Sequence, residues 1–221
     1  MSQQYSPPPK VLLFDIGGVC VVSPFQAIID YEEQHSIPRG YINYSIRALA
    51  PHGAWHRLER GEIANDAAFM LPSIDAEKLY WAMMSTARAN DPVMYAALQK
   101  LKADGRFHLA ALSNTTVFPE GHPFNERAPD DVRDIFDELF VSSAHVGMRK
   151  PERPIYDYTL AEIRKRWGQD IQPADVVFSD DIGENLKTAK QVGFRTIRVF
   201  LGKTADAVRE LERYTGLDLL D

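Results

Sequence analysis

The sequence contains a single cysteine, Cys20, among its 221 residues. One cysteine excludes an internal disulfide framework and a cysteine-rich metal site, which is typical of proteins in a reducing compartment. No apolar run reaches the roughly 18 residues that a membrane span needs. Residues 1–10 are polar and proline-rich, and they lack the apolar segment of a secretory signal. We therefore expect a cytoplasmic protein without a membrane span.

The chain also lacks an excess of basic residues. Its 25 Lys and Arg residues face 31 Asp and Glu residues, which gives a formal net charge of −6. This balance excludes a broad basic surface for nucleic acid or for an anionic membrane. It does not exclude a small anionic ligand, because one pocket can be positive on a negative protein. We expect a small-molecule substrate, no nucleic-acid partner, and a monomer or homodimer.

Short apolar runs predict the strands of a parallel sheet buried on both faces. They lie at residues 11–14, 108–112, 139–142, 176–179 and 196–200. Amphipathic segments with helical spacing alternate with the later runs. This alternation predicts an α/β fold with a Rossmann-like three-layer core, in which helices cover both faces of the sheet.

The stretch after the first strand breaks this alternation, because it contains no buried-strand run. Its segments favour helix instead, and the predicted helices lie at residues 25–35, 41–49, 54–60, 66–70 and 75–88. The sequence therefore predicts a disordered tail (residues 1–9), an α/β core (10–22 and 91–221) and an inserted α-helical cap (23–90).

Polar side chains end three of the predicted strands. The first ends in Asp15, the second in Ser113 and Asn114, and the fourth in Asp180 and Asp181. In an open α/β sheet, ligands bind outside the carboxyl ends of the strands. We therefore expect these side chains to converge at one site.

Together with Lys150, which follows the third strand, this set suits phosphoryl transfer. Carboxylate oxygens suit Mg²⁺, which also binds substrate phosphate. A carboxylate can attack phosphorus and form an aspartyl-phosphate. The Lys150 ammonium can hold charge in the transition state, and the backbone at Gly17 and Gly18 can approach phosphate closely.

Four ordered motifs resemble those of the haloacid dehalogenase-like (HAD) hydrolases. They are FDIGGV, LSNT, GMRKPE and FSDDIGEN, at residues 14–19, 112–115, 147–152 and 178–185. Within this superfamily the chain is most similar to the N-terminal phosphatase domain of soluble epoxide hydrolase. The similarity extends over segments 37–40, 57–63 and 215–220, and so covers nearly the whole chain after the tail.

The resemblance implies a role for each residue that matches a motif. Asp15 is the nucleophile and a metal ligand, and Ser113 and Lys150 take part in catalysis. The residues implied to bind phosphate are Gly18, Ser113, Asn114 and Lys150. The metal site comprises Asp15, Gly17 through its carbonyl, Asp181 directly and Asp180 as an outer or water-mediated ligand. Asn185 orients the last loop or Lys150.

One position departs from the family pattern. HAD phosphatases usually carry a second Asp two residues after the nucleophile, where it protonates the leaving group, and this chain has Gly17. Loss of general acid–base catalysis costs about 10²–10⁴-fold in rate. The candidates that could supply a proton instead are His56, Glu59 and His122, with none preferred.

The resulting hypothesis is a Mg²⁺-dependent phosphatase for lipid, isoprenoid or similar organic phosphates. The missing acid keeps three alternatives open: a phosphatase for good leaving groups such as sugar 1-phosphates, a metal-independent haloacid-type dehalogenase, and a catalytically weak phosphate-binding module. We also expect Cys20 to be buried, Arg149 to be solvated, and Trp55, Tyr80 and Trp81 to lie in the core of the cap.

Overall fold

The computed structural model describes residue 5 and residues 7–63, 76–118, 120–127, 130–136 and 138–220. The strands within these ranges are β1 (Val11–Phe14), β2 (His108–Ser113), β3 (Phe140–Ser142), β4 (Val176–Asp180) and β5 (Arg195–Arg198). The helices are α1 (Phe25–Gln34), α2 (Tyr41–Ala48), α3 (Ala54–Glu59), α4 (Ala76–Thr86), α5 (Pro92–Asp104), α6 (Ser143–Val146), α7 (Arg153–Trp167), α8 (Gly183–Val192) and α9 (Thr204–Thr215).

The five strands form one parallel sheet in the order β3-β2-β1-β4-β5. β1 is central, and its last residue, Phe14, pairs with Ala111 of β2 and Ser179 of β4. The next residue stays in register, because the Asp15 N–H donates to the Ser179 carbonyl over 2.9 Å. The residues that follow β1, β2 and β4 therefore meet at one edge of the sheet, and the predicted α/β fold is confirmed.

Each face of the sheet is covered by an apolar layer. Leu12 and Phe14 point to the face covered by α5 and α9, whereas Val11 and Leu13 point to the face covered by α7 and α8. All four side chains are fully buried. A strand buried on both faces has no polar alternation, which explains the continuous apolar run in the sequence.

Helices α1 to α4 lie between β1 and α5 in the chain and have an apolar cluster of their own. Ala27, Ile28, Tyr31, Leu79 and Met83 are among its buried members. The predicted helix at 66–70 lies outside the described residues. The cap boundaries at residues 23 and 90 stay a prediction.

The predicted tail is described only at residue 5 and residues 7–9. There the Tyr5 N–H donates to the Arg213 carbonyl over 2.8 Å, and the Tyr5 ring lies 4.6 Å from the Tyr214 ring. These contacts attach this part of the segment to the end of α9. Disorder of the whole segment stays a prediction.

The end of β5 and one short helix differ from the prediction. β5 ends at Arg198 rather than at residue 200, and Phe200 is 52% exposed. The chain turns away from the sheet through Gly202, whose φ of +72° favours glycine. The short helix α6 directly after β3 was not predicted, because four residues are too few for a periodic pattern. Among the described residues, no helix is long and apolar enough to cross a bilayer.

Helix α5, where the chain returns to the sheet after the helical insertion, begins at a well-defined cap. The Asp91 carboxylate accepts hydrogen bonds from the backbone N–H groups of Val93 and Met94, each over 3.0 Å. Pro92 occupies the first turn, where its missing N–H has no cost. The second Asp91 oxygen accepts from the Thr204 hydroxyl at the start of α9 over 2.8 Å. One side chain thus fixes the ends of two core helices.

We expect Asp91→Ala to lower the free energy of unfolding by about 1–2 kcal/mol, because the α5 cap and the bond to Thr204 are lost together. Urea denaturation measures the effect. The matched control is Asp157→Ala, since Asp157 forms an exposed ion pair with Arg153 and its loss costs below about 0.5 kcal/mol. Equal effects of the two substitutions would contradict this assignment.

Candidate active site

A buried lysine lies at the centre of the carboxylate cluster. The Lys150 side chain is fully buried, and its Nζ lies 2.9 Å from Asp15 Oδ1 and 2.7 Å from Asp180 Oδ2. Burial lowers the pKa of Lys150, but the charges of Asp15 and Asp180 outweigh it and hold the pKa above its usual value. Lys150 is therefore a fixed cation between the ends of β1 and β4.

Asp180 is fully engaged with protein groups. Its carboxylate accepts from the Ile182 N–H over 2.8 Å and from Asn185 Nδ2 at both oxygens over 3.0 Å, in addition to Lys150. These bonds fill its lone pairs. This geometry agrees with the outer position that the sequence predicts for Asp180, and it places Asn185 where it orients this carboxylate.

Asn114 holds the main chain of Lys150. Its Nδ2 donates to the Lys150 carbonyl over 3.0 Å, and its Oδ1 accepts from the Lys150 N–H over 2.9 Å. The Asn114 amide is therefore occupied in positioning the lysine, whereas the sequence prediction assigned it to phosphate. Ser113 is buried at the end of β2, and the one contact of its hydroxyl within the described part of the chain is a long one, 3.5 Å, with the Asn114 carbonyl. This contact is too weak to compete with the hydrogen bond to phosphate that the sequence predicts for the Ser113 hydroxyl.

Asp181 completes a set of three acids suited to a metal ion. One oxygen each of Asp15, Asp180 and Asp181 lies within 4.8 Å of the others. Asp181 Oδ1 is buried and has no hydrogen-bond partner in the described part of the chain. An unpartnered buried carboxylate oxygen is costly, and a divalent cation would satisfy it. Hard oxygen ligands in this arrangement fit Mg²⁺.

The electrostatics of the three acids favour a bound cation. Burial raises the pKa of Asp15 to about 7, although Lys150 opposes the shift. Burial and the charges of Asp15 and Asp180 raise the pKa of Asp181 to about 8. Three carboxylates with one ammonium leave excess negative charge in a buried space, and Mg²⁺ would compensate for it.

The two glycine positions after Asp15, Gly17 and Gly18, differ in whether a side chain would fit there. Gly18 has φ +75°, and a Cβ there would overlap with Asp181 Oδ2, so a side chain would enter the acid cluster. Gly17 lies outside the left-handed region, and among the described residues a Cβ there would meet only the Pro24 ring, with Cδ at 3.6 Å and Cγ at 3.7 Å. The backbone therefore requires glycine at position 18 but accepts other residues at position 17.

The three candidate proton donors lie in different surroundings. Burial, with the charges of Arg149 and Arg60, lowers the pKa of His56 to about 4, so its ring is neutral at pH 7. Burial raises the pKa of Glu59, although its carboxylate is ion-paired with Arg149. His122 Nδ1 accepts from the Phe124 N–H, and its ring stacks on Trp81 with centroids 4.6 Å apart. Their roles as proton donors stay a prediction.

Arg149 is not solvated, which corrects the expectation from sequence. Its side chain is 12% exposed, its Nε donates to Glu59 Oε2 over 2.7 Å, and its Nη2 lies 2.6 Å from the same oxygen in an ion pair. The sequence could not reveal this pair, because the partners are 90 residues apart. Cys20 is buried as predicted, and its thiol donates to the Asp15 carbonyl over 3.1 Å.

An aromatic cluster joins the helical insertion to the loop after β2. The Trp81 ring contacts the rings of Tyr80, Phe118 and Phe124, with centroids 5.1 to 6.2 Å apart. The members of this aromatic cluster are Trp55, Tyr80, Trp81, Phe118, His122 and Phe124. The Tyr80 hydroxyl bonds the Thr116 hydroxyl over 2.7 Å, two residues after Asn114. The sequence interpretation missed the cluster's loop members, which have no periodic pattern.

The fold and this arrangement of strand-end residues are similar to those of the haloacid dehalogenase-like hydrolases. The resemblance inferred from the motifs is confirmed. No family model matches the chain.

Three curated proteins show the similarity along the sequence. The chain is 30% identical to acyl-CoA dehydrogenase family member 10 of Mus musculus over 95% of its own length and 19% of that protein. It is 30% identical to bifunctional epoxide hydrolase 2 of Sus scrofa, over 96% of the chain and 40% of the relative. It is 28% identical to a sesquiterpene phosphatase of Aspergillus oryzae, over 94% of the chain and 97% of the relative. The chain thus spans less than half of the first two relatives.

Two solved structures share the fold. A HAD family enzyme from Bacteroides thetaiotaomicron, in complex with magnesium and inorganic phosphate, aligns with a TM-score of 0.61 and 23% identity over 88% of this chain and 96% of that one. A dehalogenase aligns with a TM-score of 0.60 and 18% identity, over 97% of this chain and 100% of that one. At these identities the two structures show the fold alone.

The raised pKa values of Asp15 and Asp181 predict how stability depends on pH and Mg²⁺. Since the folded state holds these protons more tightly than the unfolded state, the two carboxyls make the metal-free protein lose stability as pH rises from about 4 to about 8. Added Mg²⁺ should raise Tm more at pH 8 than at pH 6, because protons compete with the metal for the carboxylates. Calorimetric melting measures both effects.

Asp181→Asn is the control for this experiment, since it removes one titrating carboxyl and one ligand oxygen. It should flatten the fall of Tm with pH and reduce the Mg²⁺ response. A Tm that is independent of Mg²⁺ at pH 8 would show that the acids do not form a metal site.

Proposed function

We propose that the chain is a Mg²⁺-dependent phosphatase that hydrolyses small organic phosphates through an aspartyl-phosphate at Asp15. The observation that carries the proposal is the buried Lys150 ammonium, 2.9 Å from Asp15 and 2.7 Å from Asp180, beside the unpartnered oxygen of Asp181. A nucleophile, a fixed cation and a metal-ligand set thus lie at one sheet edge. The similarity to a sesquiterpene phosphatase over 97% of its length supports the same activity.

The chain's own residues account for the first half-reaction. An Asp15 carboxylate oxygen forms a bond to phosphorus while the bond from phosphorus to the leaving oxygen breaks. Lys150 favours the ionised form of Asp15 and holds the charge that develops on the phosphoryl oxygens, and Ser113 donates a hydrogen bond to them. Asp15, Asp181 and the Gly17 carbonyl would hold Mg²⁺, which would neutralise the phosphate charge.

The second half-reaction returns the free enzyme. Water attacks the phosphorus of the aspartyl-phosphate, inorganic phosphate leaves, and the Asp15 carboxylate is regenerated. Both half-reactions need a proton shuttle: the leaving oxygen gains a proton and the attacking water loses one. Gly17 offers no side chain for this task. The proposal therefore favours leaving groups that depart without a strong acid, and phosphorylated sugars at the anomeric position remain a second substrate class.

The preferred substrate class is an apolar phosphate monoester, of the lipid or isoprenoid type. The aromatic cluster supports this choice, because Tyr80 is bonded to the loop that follows the phosphate-binding strand end. Aromatic rings at this position offer apolar surface for a chain attached to the phosphate. The name of the Aspergillus oryzae relative points to the same class.

Two other functions are distinguishable from this proposal. The dehalogenase-like fold is compatible with displacement of halide from carbon by Asp15, but that reaction does not account for Asp181 and its unpartnered oxygen. A binding module without turnover is compatible with Gly17. Halide release that persists in EDTA would favour the dehalogenase. Tight binding of beryllofluoride without hydrolysis would favour the binding module.

We expect phosphate release in a Mg²⁺-containing screen of lipid, isoprenoid, sugar and nucleotide phosphates. Asp15→Asn should abolish it, a loss of at least about 10³-fold, because the nucleophile is removed. The variant should keep its circular dichroism spectrum, since one buried carboxyl fewer reduces repulsion in the cluster. The control is Asp157→Asn on the exposed face of α7. Unchanged turnover of Asp15→Asn would rule out the mechanism.

Gly17→Asp tests whether the missing acid limits the chemistry. The backbone accepts the side chain, so we expect the fold to persist and kcat to rise by about 10²-fold or more for poor leaving groups. Gly17→Asn is the matched control, because it has the same shape without an ionisable proton. If both variants gain equally, or if neither does, proton transfer at this position is not the limiting step.

A further inference from the structure

The end of α3 is attached to the loop that carries Lys150. The Glu59 carboxylate accepts a hydrogen bond from Nε of Arg149, the residue directly before Lys150, and forms an ion pair with its Nη2. The Glu59 carbonyl accepts from the Ser143 hydroxyl over 2.5 Å. The main chain and the side chain of Glu59 thus bind two residues, Ser143 and Arg149, of the segment between β3 and α7.

The next two residues extend this attachment. Arg60 Nη1 donates to Glu152 Oε1 over 3.0 Å, two residues after Lys150. Gly61 has φ +68°, and a Cβ there would lie 2.5 Å from the Ala144 carbonyl. Residues 59–61 therefore follow the surface of residues 143–152 closely, and no bulkier residue fits at position 61.

The Glu59 carboxylate also contacts the aromatic cluster. The indole of Trp55, one helical turn earlier in α3, donates a hydrogen bond to it. Trp55 in turn packs edge-on against Tyr80, with ring centroids 6.4 Å apart. A single carboxylate thus connects Arg149 on the Lys150 loop to the aromatic cluster.

Burial makes this junction stronger than the surface ion pairs around it. The side chains of Glu59 and Arg149 are 11% and 12% exposed, whereas Glu62, which pairs with Arg60, is 45% exposed. Removing one partner of a buried pair leaves an uncompensated charge and is far more disruptive than losing an exposed pair. Neither side chain contacts Asp15 or Lys150 Nζ in a described hydrogen bond, so the pair serves position rather than chemistry.

We propose that Glu59 is a specificity-determining positioning residue, whose bonds to Arg149 and Trp55 set the distance between the phosphate-binding residues and the aromatic cluster. It thereby selects phosphates that carry an apolar chain long enough to reach the cluster. This inference rests on the proposed function. It deepens that function by assigning substrate selection to a junction between α3 and the Lys150 loop.

The test measures binding, so that it does not depend on turnover. Dodecylphosphonate and methylphosphonate, neither of which is hydrolysed, are titrated calorimetrically in the presence of Mg²⁺. Glu59→Gln should weaken dodecylphosphonate about tenfold and change the methylphosphonate Kd less than about twofold, because only the longer ligand spans the junction. The matched control is Glu62→Gln, which removes an exposed pair at the same helix end and should change neither Kd.

Arg149→Gln and the double variant Glu59→Gln with Arg149→Gln separate the junction from general stability. If the two residues act as one unit, the double variant weakens dodecylphosphonate no more than either single variant. It also carries no unpaired buried charge, so it tests the proposal if a single variant fails to fold. Additive losses, or equal weakening of both ligands, would overturn the inference.

The outcomes also separate this inference from the proposed function. Selective loss of dodecylphosphonate binding in a protein without phosphate release would support the junction and contradict the phosphatase. If the protein releases phosphate but Glu59→Gln changes neither Kd, the phosphatase is supported and the junction is contradicted.

Discussion

The fixed position of the Lys150 ammonium is the constraint on which the site depends. A buried cation is tolerated only when paired and hydrogen-bonded, and Asp15 and Asp180 meet this condition from two neighbouring strands. Asn114 holds the lysine's main chain from a third strand, so three strand ends are tied to one residue. The same arrangement leaves Asp181 with an unpartnered oxygen and excess negative charge, which is why the site favours a divalent cation.

The fold and the meeting of the polar strand-end residues could be predicted from sequence because their signals are local. A strand buried on both faces is a continuous apolar run, and the polar residue that it brings to the sheet edge is the next one in the chain, as with Phe14 and Asp15. The contacts between distant segments could not be predicted. Glu59 and Arg149 are each ordinary exposed residue types, and only the packing of α3 against the Lys150 loop desolvates them together. The two hydrogen bonds between the Asn114 side chain and the Lys150 main chain could not be predicted either, because sequence spacing does not show that these residues meet.

Gly17 separates what the fold requires from what the chemistry requires. Its neighbour Gly18 is fixed by a positive φ and by the closeness of Asp181, whereas position 17 has room for a side chain. The absence of an acid there is thus not imposed by the backbone. An enzyme that lacks this acid gains more from binding energy remote from phosphorus. The aromatic cluster, linked through Glu59 to the Lys150 loop, offers a source of such binding energy.

The most direct measurement of the chemistry is the location of the phosphoryl group during turnover. The protein is mixed with acetyl phosphate and Mg²⁺, quenched in acid and reduced with borohydride, which converts an aspartyl-phosphate to homoserine. Mass spectrometry of the peptides should then show homoserine in place of Asp15. Steady release of phosphate with Asp15 unmodified at every quench time, or homoserine at another position, would contradict an aspartyl-phosphate at the end of β1.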